Sequence, residues 1–273
     1  GGVVFVLGFY NAYKFLPFSP RETIFPVLSV ISQLQQVAGI ERYASVGTTF
    51  RSNIMAIYKL QSTEYFDPLN VKRYAELVSY VNTGDRLRGL TRSDVLVVSD
   101  ASVSAELAAR RERFWDMMGT SVLVTKNDDG LLVVGDPFWQ DDHWQLHRRP
   151  SALPRVYLTN DIRVIPDPDR KLSNMFDAEI DLRNTTFVEE SISGVDIGQA
   201  PIGNAKIISY EPNSVKIQVE TSVSSFLVLS DTYYPGWNAY VDGEKTGVYR
   251  TNYAFRGVAV PTGNHNVVFR NEP

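Results

Sequence analysis

From residue 185 onward the chain gives up helical periodicity and breaks into short β runs separated by turn signals. The runs are 185–189, 205–210, 215–220, 226–230, 239–241, 248–250, 256–260 and 266–269. Apolar–polar alternation over a few positions sends one strand face to a core and the other to water. Many such strands at close, even spacing suit an antiparallel sandwich, jelly-roll or immunoglobulin-like, rather than a bundle.

Upstream the periods mix. Apolar residues recur at helical spacing over 30–37, with Pro26 placed near the N-terminus and Gly39 at the end. A second helix is expected from Asp67-Pro68 through Tyr74, Leu77, Val78 and Val81 to Gly84, and a third over 102–118. Pro168 suits the first turn of a short helix within 167–178. Strands are expected at 42–46, 122–125, 131–134 and 155–159, with Asn127-Asp-Asp-Gly130 turning between the second and third. The fold class is therefore α+β. A mixed α/β portion over 1–184 precedes an antiparallel β-sandwich over 185–273.

Composition narrows the function classes. Of 273 residues, 44% are hydrophobic and 21% charged, the balance of a globular protein rather than a disordered one. A net charge of −4 argues against nucleic acid as a partner, since that role needs a basic surface. The absence of cysteine excludes disulfides, thiolate nucleophiles and cysteine-held metals. The opening run GGVVFVLGFY is too short to cross a bilayer, which needs about 20 helical residues. It reads either as a buried strand or core helix, or as the tail of a membrane helix.

The chemistry-bearing motifs are weak. His143 and His147 stand four apart, but Trp144 follows the first where a zinc helix would carry Glu. In a strand the two rings would lie ~13 Å apart. Asp141, Asp142, Asp161, Asp167 and Asp169 adjoin turn formers and read as turn and cap residues rather than as a catalytic pair. No phosphate loop, nucleophile elbow or dinucleotide fingerprint occurs. No catalytic residue, metal or cofactor is assigned.

The densest aromatic segment is SDTYYPGWNAYVDG, residues 230–243. Strand alternation puts Trp237, Ala239 and Val241 on one face and Asn238, Tyr240 and Asp242 on the other. Pro235-Gly236 makes a corner and Asp242-Gly243 a hairpin turn. Trp237 reads first as a core anchor, with Phe255 also facing the core. Arg256, one position on, faces the other side, where it is free to pair with an acid or hold a phosphate. Tyr233, Tyr234, Trp237, Tyr240 and Arg256 are the candidate ligand residues, because flat aromatic faces cover sugar C–H groups.

The C-terminal stretch, with Tyr234-Pro-Gly-Trp237, Val241-Asp-Gly243, Asn252, Ala254-Phe-Arg256 and Pro261-Thr-Gly-Asn-His265, resembles the C-terminal region of the bacterial YfhO family. Phe66-Asp-Pro-Leu69 with Lys72-Arg-Tyr74, the stretch 117–125, and Ala152-Leu-Pro-Arg155 are similar to the same family in the same order. The resemblance implies a large multi-pass membrane protein of glycosyltransferase-C architecture, with this chain as its soluble extracytoplasmic region. It implies sugar transfer from polyprenyl-phosphate carriers to cell-envelope polymers, catalysed in a membrane portion that contributes no residue here. The partners so implied are an acceptor glycan or polymer and the protein's own transmembrane helices.

Overall fold

The computed structural model describes residues 2–15, 24–47, 52–88, 94–99, 103–127 and 135–272. The chain opens with the helix Gly2–Phe15 (α1). Its apolar side chains over residues 3–10 stand in solvent: Val4 is 76% and Phe5 75% exposed. The buried-strand or core-helix expectation is thus corrected. With apolar residues on every side, α1 has no polar face to set against water while another face packs.

The helix Ser29–Ala38 (α2) begins after Pro26 rather than at it, with Leu28 extended at its N-cap. There follow the strand Arg42–Ser45 (β1), the short helix Ser52–Met55 (α3) continued by the 3-10 turn Ala56–Tyr58, and the strands Gln61–Ser62 (β2) and Tyr65–Phe66 (β3). The next helix is Lys72–Thr83 (α4), ended by Gly84 at φ 75°. It starts later than the Asp67-Pro68 signal, because the Asp67 carboxylate accepts from the Leu69 amide at 2.8 Å and closes a local turn instead. Asp94–Val95 (β4) pairs with β3. The helix Ala105–Met117 (α5) is capped by the Ser104 hydroxyl, which accepts from Leu107 N–H at 3.2 Å.

Thr120–Lys126 (β5), Trp139–Gln140 (β6) and Trp144–Arg148 (β7) complete a mixed sheet of order β2-β1-β5-β7-β6. β1 runs parallel to β2 and β5, and β7 antiparallel to β5. The strand expected at 131–134 lies outside the described residues. Both faces of this sheet are covered. Tyr43, Val122, Val124 and Leu146 meet Val30, Ile31 and Leu34 of α2. Ala44 and Leu123 point the other way, into a cluster with Leu77 and Val78 of α4 and Phe114 and Trp115 of α5. Two-sided burial explains why β1 is buried throughout.

The remaining elements build the sandwich. They are Val156–Thr159 (β8), Asp161–Val164 (β9), the helix Pro168–Met175 (α6), Thr185–Val188 (β10), Gly203–Glu211 (β11), Ser214–Thr221 (β12) and Ser225–Thr232 (β13). Trp237–Val241 (β14), Glu244–Thr246 (β15), Tyr249–Thr251 (β16), Phe255–Val260 (β17) and Gly263–Asn271 (β18) follow. Each β run expected after residue 185 is a strand, and β15 adds one that was not expected. One sheet has the order β8-β13-β17-β16-β10-β9 and the other β11-β12-β18-β14-β15. Val156, Leu227, Leu229 and Val258 of the first sheet meet Val215, Ile217, Val267 and Phe269 of the second. The α+β class with a largely antiparallel sandwich therefore holds. The edge strands β8 and β9 come from before residue 184, so the sandwich draws on both sides of that line. Phe187, Tyr253 and Phe255 also join the cluster formed by α4 and α5.

Candidate functional site

β14 enters from the Pro235-Gly236 corner, where Gly236 takes a φ of 98° that disfavours a side chain. Alternation then sorts its residues. Ala239 is buried, and Trp237 and Val241 pack against the sandwich core. On the outer face Asn238 and Tyr240 both donate to Glu272, at 2.9 and 2.7 Å. The Arg270 guanidinium lies 5.2 Å from the Tyr240 ring centre. The hairpin to β15 turns on Asp242 and Gly243 alone, with φ 51° and 92°.

The Trp237 indole has an inward partner. Arg256 lies over it at 3.8 Å and is nearly fully buried. Its Nη2 donates to Asp231 Oδ2 at 2.9 Å. The same carboxylate accepts from Arg42 Nη2 at 2.9 Å, from Arg155 Nη2, and from the Tyr210 hydroxyl at 3.1 Å. Arg42 belongs to β1, Arg155 precedes β8, Tyr210 lies on β11 and Asp231 on β13, so one buried carboxyl ties the mixed sheet to both sandwich sheets. Burial works to raise the Asp231 pKa, but the Arg155, Arg42 and Arg256 guanidiniums together hold it well below the carboxylate range. A carboxylate so committed is a poor proton donor or acceptor; it is a knot in the fold. Arg256 thus pairs with an acid and faces inward.

A second ionic cluster reaches the surface beside Tyr233. Arg250 lies over the Tyr233 ring at 4.7 Å and bonds Glu189 at 3.0 Å. Glu189 also meets Lys171 at 3.1 Å and Arg73 at 3.3 Å. Burial opposes its charge, yet Lys171, Arg250 and Arg73 keep Glu189 below its usual range. The buried Glu76 meets Arg86 at 3.2 Å and accepts from the Tyr253 hydroxyl at 2.6 Å. Asn252 and Tyr253 sit at φ 42° and 70°, an uncommon pair for residues with side chains. Asn252 Oδ1 accepts from Thr186 Oγ1 and the Phe187 amide, both at 2.9 Å, which holds the bend. Tyr234, next to Tyr233 in the chain, is 56% exposed.

The five candidate residues therefore separate. Trp237 and Arg256 go inward, Tyr240 engages Glu272 and Arg270, Tyr233 borders a charged, partly open network, and Tyr234 stands exposed. Reading the sequence missed Arg42, Arg155 and Asp231. Their signal was a charged residue beside or within an otherwise apolar β run, a position that demands a buried partner.

The weaker motifs take structural places. Asp141 accepts from the His143 and Trp144 amides at 2.9 and 2.8 Å, closing a turn. Asp167 caps α6 through the Arg170 amide at 2.7 Å. His147 lies on β7, with Nδ1 3.2 Å from the Gly135 carbonyl, and burial lowers its pKa. No group of three or more His, Asp or Glu that could hold a metal occurs among the described residues. Most of the Asn127–Gly130 turn lies outside them.

Residues 174–273, from the end of α6 through β18, match the family model described as bacterial membrane protein YfhO. No curated protein and no solved structure matches the chain. No helix among the described residues is long and apolar enough to cross a membrane.

Proposed function

We propose, from the premise that this chain is a fragment of a YfhO-family bacterial membrane protein, that it is the extracytoplasmic region of a glycosyltransferase-like enzyme and positions an acceptor glycan or cell-envelope polymer without catalysing transfer itself. The observation that carries the reading is Tyr233 under the Arg250 guanidinium of the Arg250–Glu189–Arg73 network, with the exposed Tyr234 next to it in the chain. Tyrosine faces suit the C–H side of a sugar ring, and the neighbouring cations suit an anionic linkage between sugars. Tyr240 on the outer face of β14 offers a second, separate contact. Calorimetric titration of anionic and neutral cell-envelope polymer fragments tests the idea. Binding that Tyr234→Ala weakens, with the melting temperature unchanged, supports it; no binding at millimolar fragment sinks it.

A second reading has its own support. Trp237 and Arg256, the centre of the aromatic segment, are spent on the buried Asp231 knot. In that reading the region is an assembly scaffold that contacts the protein's own membrane helices. Polymer binding would then be absent, and activity of the full-length protein would follow stability in every variant.

A further inference from the structure

We infer that the face formed by residues 26–28, 54–57 and 66–69 is a membrane-docking surface that lies in the headgroup–acyl boundary of a bilayer. The inference rests on the membrane association proposed above and adds which face meets the lipid.

The turn from α3 into Ala56–Tyr58 is apolar on both sides. Met55 and Tyr58 are buried in the core beneath α2, while Ile54 and Ile57, one helical turn apart, point out and are 56% and 52% exposed. Outward positions of a surface turn facing water are normally polar. Phe66 and Leu69 lie alongside, 53% and 86% exposed. Their nearness is fixed by Asn53, whose side chain donates to the Phe66 carbonyl at 2.6 Å and accepts from its amide at 3.0 Å. The Tyr58 hydroxyl donates to the Pro26 carbonyl at 2.9 Å, which brings the exposed Val27 to the same turn. Exposed aliphatic and aromatic side chains gathered in this way mark an interaction surface.

Two features choose lipid as the occupant. The first is continuity with α1, whose exposed Val, Phe, Leu and Tyr side chains suit hydrocarbon on every side. Residues 16–23 connect α1 to Ile24, and a link of that length reaches at most about 30 Å. A bilayer that takes α1 therefore lies within reach of this face. The second is the rim. Lys59 and Lys72 are exposed at its edge, where their ammonium groups meet anionic headgroups. Asp67 also lies there, with its carboxylate engaged by the Leu69 amide.

The chain has no cysteine, so single labels can be placed without background. Ile57→Cys and Leu69→Cys, each carrying an environment-sensitive fluorophore, are mixed with vesicles of equal parts phosphatidylcholine and phosphatidylglycerol. Ile202→Cys, on the sandwich, is the control. The expected result is flotation of the protein with the vesicles, with blue-shifted, brighter emission at 57 and 69 and no change at 202. Replacing Ile54 and Ile57 together by Ser should weaken vesicle affinity about tenfold. Flotation with emission unchanged at 57 and 69 overturns the docking face but leaves membrane association standing. Failure to float overturns both. A blue shift that appears without vesicles as protein concentration rises overturns lipid in favour of a second copy of the chain.

Discussion

Asp231 is the residue on which three of the buried arginines converge. Three guanidiniums and one phenol address a single carboxyl, at 2.9 Å for Arg42 and Arg256. Removing one partner of such a buried group leaves uncompensated charge, so Asp231→Asn or Arg256→Ala should cost about 3–5 kcal/mol in urea unfolding. The folded-state pKa of Asp231 lies below its unfolded value. Its stabilisation is therefore complete above about pH 4 and is lost only as the pH falls through the depressed folded value. Stability measured into strong acid should show that loss in the parent protein and lack it in Asp231→Asn. His265 behaves in the opposite sense. Its Nδ1 lies 2.7 Å from Asp242 Oδ2 and its Nε2 3.2 Å from the Thr262 carbonyl, so both nitrogens face acceptors and the imidazolium satisfies both. The bond to Asp242 raises the His265 pKa. The contribution is present below the unfolded value of about 6.5 and fades as the pH rises through the folded one. Unfolding midpoints taken between about pH 5 and 8 should decline less with rising pH in His265→Gln.

At the scale of the element, two glycines decide the geometry of the β14 and β17 strands for different reasons. Gly243 has open space around it but a φ of 92°, so Gly243→Ala should lose about 1 kcal/mol through backbone strain alone. Gly257 is sterically closed: a Cβ there would run into the Phe226 ring and lie 3.0 Å from the Leu227 carbonyl oxygen. Gly257→Ala overpacks the β13–β17 ladder and should cost about 1–3 kcal/mol. Thermal melts of the two variants rank the effects. A Gly257→Ala protein as stable as the parent would show that β13 and β17 can part without loss.

The whole molecule is joined by more than its backbone. The cluster around Leu77, Phe114 and Trp115 also contains Phe187, Tyr253 and Phe255, and the Asp231 knot spans the mixed sheet and both sandwich sheets. β8 and β9, drawn from before residue 184, complete the edges of a sandwich sheet. We expect a single cooperative calorimetric transition for the folded body. Residues 185–273 alone, lacking both edge strands, Arg42 and Arg155, should not reach it. Two separable transitions in the parent would contradict this.

The strand-rich C-terminal portion was legible because alternation and turn residues are local properties, so β10 to β14 and β16 to β18 could be read one by one. The Asp242-Gly243 hairpin and the division of β14 into an inner Trp237 face and an outer Tyr240 face were readable for the same reason. The helix start at Lys72 was not, since Asp67 had two local uses and only the folded backbone chose the turn. The other groups that share Asp231 with Arg256 were further out of reach. Arg42, Arg155 and Asp231 are separated by more than 70 residues at the closest pair, and nothing local links them. Sequence alone determined the α+β class, the sandwich and the strand faces, because each depends on periods of a few residues. Only the tertiary structure decided that Arg256 closes a buried knot, that Tyr233 borders a charged network, and that Ile54, Ile57, Phe66 and Leu69 share one exposed face. Those outcomes depend on which distant residues the packed core brings within a few ångströms.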